Sequence, residues 1–308
     1  MTLEIPLRGA GGEPVDLKRT LASHGVASLP PMLLDEEAWT LEVTVPLPGR
    51  RPRTVLVREG SRRRAAAEVA GRKPGVREAE AIAAAVRHVL ALDLDLSAFY
   101  EVAANDPDLE WVVGGAGRMI RSPTVFEDVV KTLCTTNCSW ALTTKMVTAL
   151  VENLGEPAAG AEPGTWRGRA FPTPVAMAGR DERFYRDVVR SGYRAPHFVR
   201  MATMVAEGEV DLEPLALRPP DGPPDDEVEA RLLALPGIGP YAAAHVMLLI
   251  GRYHRLILDS WTRPKYARVT GARRPASDAT IVRRFRRYGP YAGLAFWCLL
   301  TRDWIPDA

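Results

Sequence analysis

The chain has 308 residues, of which 46% are hydrophobic, with 40 Lys and Arg against 38 Asp and Glu. This length and apolar content can bury a sizeable core and predict an ordinary globular protein of one to three domains. The N-terminus has no charged-then-apolar secretion pattern, and no stretch approaches the roughly 18 apolar residues that cross a bilayer, so we predict a cytoplasmic protein without a membrane span.

The cysteines and histidines argue against a metal or a disulfide. Cys134, Cys138 and Cys298 make no even framework and have no zinc-like spacing, which favours a reducing compartment. His245 and His254 are isolated histidines, for which structural hydrogen bonds are the commoner role. We therefore predict no disulfide, no metal and no cofactor.

The first 60 residues contain two β-strand patterns. Residues 39–47 alternate between polar and apolar side chains, residues 53–60 form a second such segment, and a Pro-Gly pair separates them. From Glu78 onward the apolar spacing becomes helical. The sequence therefore predicts an α+β fold, with a small β-rich N-terminal domain over residues 1–85 and an α-helical region over residues 86–308.

The most specific pattern is Leu-Pro-Gly-Ile-Gly-Pro at residues 235–240, between two apolar segments with helical spacing. Gly237 and Gly239 suit a tight turn, because glycine adopts positive φ angles and has no Cβ to keep backbone N–H groups away from a phosphate. Asp225 and Asp226 can cap the preceding helix. A lone Gly-x-Gly turn also connects helices in many proteins that bind no nucleic acid.

Asp259 follows Tyr241 by eighteen residues, in the segment Leu-Asp-Ser-Trp-Thr-Arg. Taken alone, it fits the N-cap of a helix that begins just after it, since Asp is a favoured capping residue. It also fits a carboxylate that is presented to a nucleotide bound at the hairpin.

Together, the hairpin and the acid resemble the helix-hairpin-helix DNA glycosylases. Residues 126–140 are similar to a helix of the 8-oxoguanine DNA glycosylases, and residues 192–195, Gly-Tyr-Arg-Ala, resemble a motif shared by the oxoguanine and alkyladenine members. The ending at residues 301–307 is similar to that of bacterial 3-methyladenine DNA glycosylase II. The resemblance covers roughly residues 85–308.

The resemblance implies an antiparallel sheet domain followed by two helical lobes, with a DNA cleft between them. It implies that Asp259 is catalytic and that Asn137 fills the gap left by the flipped nucleotide. The implied partner is damaged double-stranded DNA, bound by a monomer. An iron–sulfur cluster is not expected, because only Cys298 lies where related branches have four cysteines. The expected DNA-binding residues are Asn137, Arg194, Gly237, Gly239, Pro240 and Arg263.

The expected chemistry is hydrolysis of an N-glycosidic bond. As the base leaves, the sugar develops positive charge, which the Asp259 carboxylate would stabilise while it orients or deprotonates a water. The base must first leave the stack and enter a pocket. Tyr241 stands where the bifunctional members have a lysine, and a tyrosine cannot form a Schiff base. The chain is therefore expected to be monofunctional.

Aromatic side chains favour an alkylated purine as the substrate. Tyr241, Trp261 and Phe296 are expected to line the base pocket, with Trp297 nearby, and such rings attract a positively charged base. Phe296 takes the place of a glutamine that reads the oxidised base in the oxoguanine branch. Two alternatives remain open: an oxidised-base glycosylase with an unusual pocket, and a noncatalytic DNA-binding protein.

Charge is distributed unevenly along the chain. Residues 251–308 contain twelve Lys and Arg against four acids, whereas residues 205–229 contain nine acids and one Arg. Positive charge is thus concentrated beside the hairpin, where it would attract phosphates. Four arginines of this segment fit either phosphate contact or a solvated helix face. They are Arg283, Arg284, Arg286 and Arg287.

Overall fold

The computed structural model describes residues 1–272 and 274–305. The strands are β1 Thr2–Pro6, β2 Met32–Asp35, β3 Thr40–Leu47, β4 Arg50–Glu59 and β5 Arg64–Val69. The helices are α1 Leu17–Leu21, α2 Val76–Val89, α3 Ser97–Ala103, α4 Val125–Thr135, α5 Trp140–Leu154, α6 Pro174–Ala178, α7 Glu182–Asp187, α8 Ala195–Ala206, α9 Asp225–Leu233, α10 Pro240–Leu249, α11 Thr262–Val269, α12 Asp278–Phe285 and α13 Ala292–Thr301. Arg273 and Asp307 of the basic segment, and the Pro-Asp end of the 301–307 motif, lie outside the described residues.

The five strands form one antiparallel sheet in the order β1-β5-β4-β3-β2. Across β3 and β4, Val43 pairs with Val55 and Leu41 with Val57, and all four side chains are fully buried. The two predicted strands are thus confirmed within a few residues at each end. The sequence analysis missed the other three, of which β5 reads Arg-Ala-Ala-Ala-Glu-Val and has little of the alternation or branched character that indicates a strand.

Helix α2 covers one face of this sheet. Its apolar residues Ile82, Val86 and Val89 belong to the same buried cluster as the inward-facing valines of β3 and β4. The boundary that we placed after residue 85 therefore falls inside a helix that packs on the sheet. The physical unit is the sheet together with α2.

The remaining helices bury two further clusters. One is built mainly from α4 to α10, and the other from α3 and α11 to α13. Helix α10 lies between them: Val246 and Met247 pack into the first cluster, and Ala244 and Leu248 into the second. A helix that is apolar on all sides is buried on all sides. Tyr241, near its start, packs against both clusters.

Buried ion pairs connect the N-terminal segment with the helices. Arg118 is fully buried, and its guanidinium reaches Glu13 and the carbonyl oxygens of Ala91 and Leu94. Glu13 also accepts the Leu96 N–H at 2.7 Å. The two charges compensate each other away from water, where either one alone would be costly.

No helix in residues 1–272 and 274–305 is long and apolar enough to cross a membrane. Within the same residues, no group of three or more His, Cys, Asp and Glu side chains is arranged to hold a metal ion.

Candidate functional site

The turn between α9 and α10 contains two glycines in different surroundings. Gly237 has a φ of +79°, and a Cβ there would lie 2.9 Å from side-chain atoms of Leu133 and His197. Gly239 has a φ of −96°, and a Cβ there would meet nothing within 4 Å. Gly237 is therefore required by the fold, whereas Gly239 leaves open space in front of the backbone.

The N-terminus of α10 presents unpaired backbone donors. Gly239 is the N-cap and makes no side-chain capping bond, and Pro240 has no N–H. The first helical bond runs from the Ala243 N–H to the Gly239 carbonyl, so no described residue accepts from the N–H of Tyr241 or Ala242. Such donors, at the positive end of a helix dipole, bind anions.

The preceding helix begins differently from our prediction. Asp225 is the first residue of α9 and makes no capping bond. Its carboxylate instead pairs with Arg252 at 2.6 Å and His254 at 3.2 Å. The His254 hydrogen bond and the Arg252 guanidinium hold the pKa of Asp225 well below its usual range. This ion cluster fixes α9 against the chain that follows α10.

Asp259 lies just before α11 and caps it. Its Oδ1 accepts the N–H groups of Trp261 at 2.9 Å and Thr262 at 2.6 Å, and its own N–H donates to the Thr262 hydroxyl at 2.8 Å. Within the described part of the chain, no group donates to Oδ2. The carboxylate is close enough to influence the hairpin helix, because burial raises the pKa of Tyr241 and the Asp259 charge adds to that rise. One oxygen thus serves the cap, and the other is available.

Aromatic rings pack together beside the Asp259 segment. We call these rings the aromatic cluster, and the surface at Asp259 and exposed Trp261 the cleft. The ring centroids of Tyr241 and His245 lie 4.5 Å apart, those of His245 and Trp297 6.2 Å, and those of Trp261 and Trp297 5.7 Å. Trp261 is 39% exposed and marks the opening. The members of the aromatic cluster are His24, Tyr241, His245, Trp261, Trp297 and Trp304.

Phe296 is not part of this cluster. It is fully buried and packs against Phe285, with ring centroids 5.2 Å apart, and against Tyr266 at 6.0 Å. Consecutive residues on a helix point about 100° apart, so Trp297, which is also buried, reaches the rings of His245 and Trp261 while Phe296 points to Phe285 and Tyr266. Phe296 therefore drops out of the expected base pocket.

Asn137 lies at an exposed turn after α4, with a φ of +46°. Its side-chain amide donates to the Tyr193 hydroxyl at 3.2 Å. At the last residue of α4, the Thr135 hydroxyl lies 3.5 Å from that of Tyr241. Asn137 therefore stands at the same end of the cleft as the hairpin helix.

Arg194 supports this turn from beneath instead of facing solvent. It is 3% exposed, and its guanidinium donates to the Thr136 hydroxyl at 3.1 Å, to the Thr136 carbonyl and to the Ser191 carbonyl. A side chain held in this way is a positioning residue and does not make a surface phosphate contact. Our prediction of Arg194 as a direct DNA-binding residue thus disagrees with its place in the fold.

The basic C-terminal segment is partly neutralised within the molecule. Arg263 is exposed but forms a two-pronged pair with Asp278 at 2.8 and 2.9 Å. Arg284 and Arg287 pair with acids near α3. Of the four arginines weighed earlier, Arg283 and Arg286 are the exposed ones for which the described residues offer no acid partner.

His24 joins the cleft although nothing in the sequence indicated it. It follows α1 in the N-terminal segment, and its ring stacks on Trp297 at 5.3 Å and meets His245 edge-on at 5.7 Å. Burial lowers the pKa of His24 to about 3 and that of His245 to about 4. Both imidazoles are therefore neutral at physiological pH.

Three solved structures resemble this chain along almost its whole length. A 3-methyladenine DNA glycosylase from Archaeoglobus fulgidus matches with a TM-score of 0.73 and 20% identity, covering 100% of both chains. MBOgg1 in complex with a low-affinity DNA ligand matches with a TM-score of 0.70 and 20% identity, covering 94% of this chain and 93% of that one. The Clostridium acetobutylicum 8-oxoguanine glycosylase/lyase matches with a TM-score of 0.69 and 19% identity, again covering 94% of this chain and 93% of that one.

No protein-family model matches the chain, and no curated protein matches it at a significant level. The likeness is thus one of fold. The chain has the fold of the helix-hairpin-helix DNA glycosylases, as the sequence analysis predicted.

Proposed function

We propose that the chain is a monofunctional DNA glycosylase that flips an alkylated purine out of duplex DNA and hydrolyses its N-glycosidic bond. One observation carries the proposal: the Asp259 carboxylate, with one oxygen available, lies two residues before Trp261 of the aromatic cluster, whose Tyr241 stands in the first turn of α10. The glycosylase fold is consistent with it.

The hairpin would grip the DNA backbone. The free N–H groups of Tyr241 and Ala242 suit a phosphate oxygen, and the open space at Gly239 lets the phosphate approach. Exposed Asn137 would fill the space left by the flipped nucleotide, while Arg194 holds its turn in place. Arg263 can add a phosphate contact once DNA competes with Asp278.

The chemistry follows from the two oxygens of Asp259. Hydrolysis breaks the bond between C1′ and the base nitrogen, the base departs with the bonding electrons, and a water oxygen bonds to C1′. Because Oδ1 is held by two N–H groups, the orientation of Oδ2 is fixed before the substrate binds. Oδ2 would face the positive charge on the sugar and receive the proton of the attacking water.

Strand cleavage would need an amine that can attack the sugar, and none of the described lysines near Asp259 or Tyr241 is free to do so. Tyr241 occupies the position of the lyase lysine. Lys265 is buried against Asp303, with its Nζ 2.6 Å from both carboxylate oxygens, and Lys131 is buried against Glu127. Both amines are buried and engaged by a carboxylate, so neither is placed to attack a sugar. The product would therefore be an abasic site in an intact strand.

An alkylated purine suits the cleft better than a neutral base. Alkylation at a ring nitrogen gives the base a positive charge, and the ring faces of Tyr241, Trp261 and Trp297 attract cations. The neutral histidines of the aromatic cluster do not oppose that charge.

The test is base release from duplexes that contain 3-methyladenine, 7-methylguanine, hypoxanthine or 8-oxoguanine, with and without alkali. Asp259→Asn should lower release at least about 100-fold, because Asn keeps an oxygen for the cap but loses the negative charge. The matched control is Asp187→Asn, which removes an exposed acid of α7 and should retain activity.

Breaks that appear only after alkali, on alkylated DNA, would support the proposal. Breaks without alkali would refute the monofunctional assignment, and preferential release of 8-oxoguanine would favour an oxidised-base glycosylase. DNA binding without release of any base would instead favour a noncatalytic binding protein.

A further inference from the structure

His24 connects the N-terminal segment to the aromatic cluster through a fixed geometry. The Trp297 indole N–H donates to the Ser23 carbonyl at 2.8 Å, which anchors the residue just before His24. On the other side, Trp140 packs against Gly25, where a Cβ would lie 3.0 Å from the indole ring. The imidazole between these two contacts is held against Trp297 and His245.

The hydrogen bonds of the two histidines define their tautomers. The Nδ1 of His24 lies 3.2 Å from the Val26 N–H and accepts from it, so a neutral ring has its proton on Nε2. The Nδ1 of His245 lies 3.3 Å from the Tyr241 carbonyl, which can only accept, so this nitrogen has the proton and Nε2 has the lone pair. The pair thus offers one donor and one acceptor.

Neither Nε2 atom has a partner in the described chain. The two rings meet edge-on with centroids 5.7 Å apart and make no hydrogen bond to each other. Neither atom is among the unpaired polar atoms that are sealed inside the protein, so each keeps some exposed surface. A donor and an acceptor that are unpaired beside a cluster of aromatic rings form an arrangement that suits the edge of a flat polar ligand.

We propose that His24 and His245 determine which alkylated base is released, by hydrogen bonding to a purine edge that has an acceptor beside a donor. His24 Nε2–H donates to the purine N7, and His245 Nε2 accepts from an exocyclic amino group at C6. An adenine alkylated at N3 offers both groups. This inference rests on the proposed function and names the substrate within it.

Two other bases fit the pair less well. A guanine methylated at N7 has no lone pair there and has a carbonyl oxygen at C6. Hypoxanthine keeps N7, but its C6 oxygen would oppose the lone pair of His245. Leaving a buried polar group unpaired costs enough to give large discrimination between bases of similar shape.

One substrate measures the effect directly. DNA treated with a methylating agent contains both 3-methyladenine and 7-methylguanine, so one digestion gives the rates of release of both. For the wild type we expect 3-methyladenine to be released faster. His24→Phe keeps a ring on Trp297 but has no N–H, and the ratio of the two rates should fall about tenfold or more, mainly through slower 3-methyladenine release.

A second variant guards against loss of structure. His24→Asn keeps a side-chain acceptor for the Val26 N–H but has no ring, so the two variants share only the loss of Nε2–H. Both should lower the ratio, whereas His88→Phe, which changes a histidine outside the cleft, should leave it unchanged. Circular dichroism of each variant checks that it is folded.

The outcomes separate the two proposals. If the wild type releases neither base, the proposed function fails. If it releases both but folded His24 variants keep the wild-type ratio, the role of His24 is refuted while the glycosylase proposal stands. Faster release of 7-methylguanine by the wild type would likewise overturn the donor and acceptor assignment.

Discussion

The N-terminal segment meets the helices at two contacts that are built on different principles. At the first, Glu13 and Arg118 are buried and their opposite charges compensate each other. At the second, His24 packs on Trp297 and His245 as a neutral ring, with an Nε2 that no described residue satisfies. We call these the charged contact and the neutral contact.

The difference separates structural from functional polar groups. A buried ion pair neutralises its own charges without a ligand, even though Glu13 Oε2 and Arg118 Nε find no hydrogen-bond partner in the described chain, and breaking the pair lowers stability. A ring nitrogen that is accessible and unpaired contributes nothing to folding, so its presence in a cleft indicates a binding partner. The charged contact holds the N-terminal segment against the helices, and the neutral contact brings His24 of that segment to the cleft.

The largest effect is expected at the charged contact. Glu13→Gln leaves the Arg118 charge buried and uncompensated, and should lower the free energy of unfolding by about 3–5 kcal/mol in urea titrations. The control is Glu68→Gln, which breaks an exposed pair with Arg58 and should cost no more than about 1 kcal/mol. Equal losses would remove the distinction between this contact and an ordinary surface pair.

The same distinction between packed and open positions exists within the hairpin. Gly237→Ala forces a Cβ against Leu133 and His197 at a positive φ, and should cost about 1–3 kcal/mol of stability. Gly239→Ala should change stability by less than about 0.5 kcal/mol, since its Cβ enters only open space. It should still weaken DNA binding, because that Cβ would stand in the space through which a phosphate approaches the backbone. Denaturation and fluorescence anisotropy with duplex DNA measure the two quantities. A Gly239 variant with unchanged DNA affinity would contradict the hairpin's role.

A pH dependence of stability is expected at the neutral contact. His24 and His245 have pKa values of about 3 and about 4 in the folded state, against about 6.5 when unfolded. Between these folded and unfolded pKa values the unfolded chain binds more protons than the folded chain does. The stability that the two rings contribute is therefore complete above pH 6.5 and is lost as the pH falls, by at most about 1.4 kcal/mol per pH unit for each ring. The nearby Asp259 charge opposes part of this for His245.

Replacing both His24 and His245 with Phe should therefore reduce the dependence of the free energy of unfolding on pH between pH 7 and pH 4. His254 provides a control of opposite sign, because its hydrogen bond with Asp225 raises its pKa. Its contribution is complete below pH 6.5 and is lost as the pH rises above that value, so His254→Gln should lower stability below pH 6.5 and have little effect at alkaline pH. An unchanged slope in the double Phe variant would mean that the rings are protonated in the folded state.

Short-range patterns were predictable from the sequence, whereas long-range packing was not. The Pro-Gly turn with its flanking alternation specifies β3 and β4, and Gly237 and Asp259 follow from local turn and capping rules. Strand β5 is missed because its alanines gain their β conformation from pairing with β1 and β4. His24 is missed because only the folded chain brings it to Trp297, and Phe296 is misplaced because one helical step decides between cleft and core.

The hydrogen bond between Trp297 and Ser23 joins positions 274 residues apart. Translation proceeds from the N-terminus, so His24 leaves the ribosome long before Trp297 does. Until then the sheet and most of the described helices can fold, but His24 lacks the indole on which it stacks. On the proposed function, release of a base therefore begins only when α13 docks.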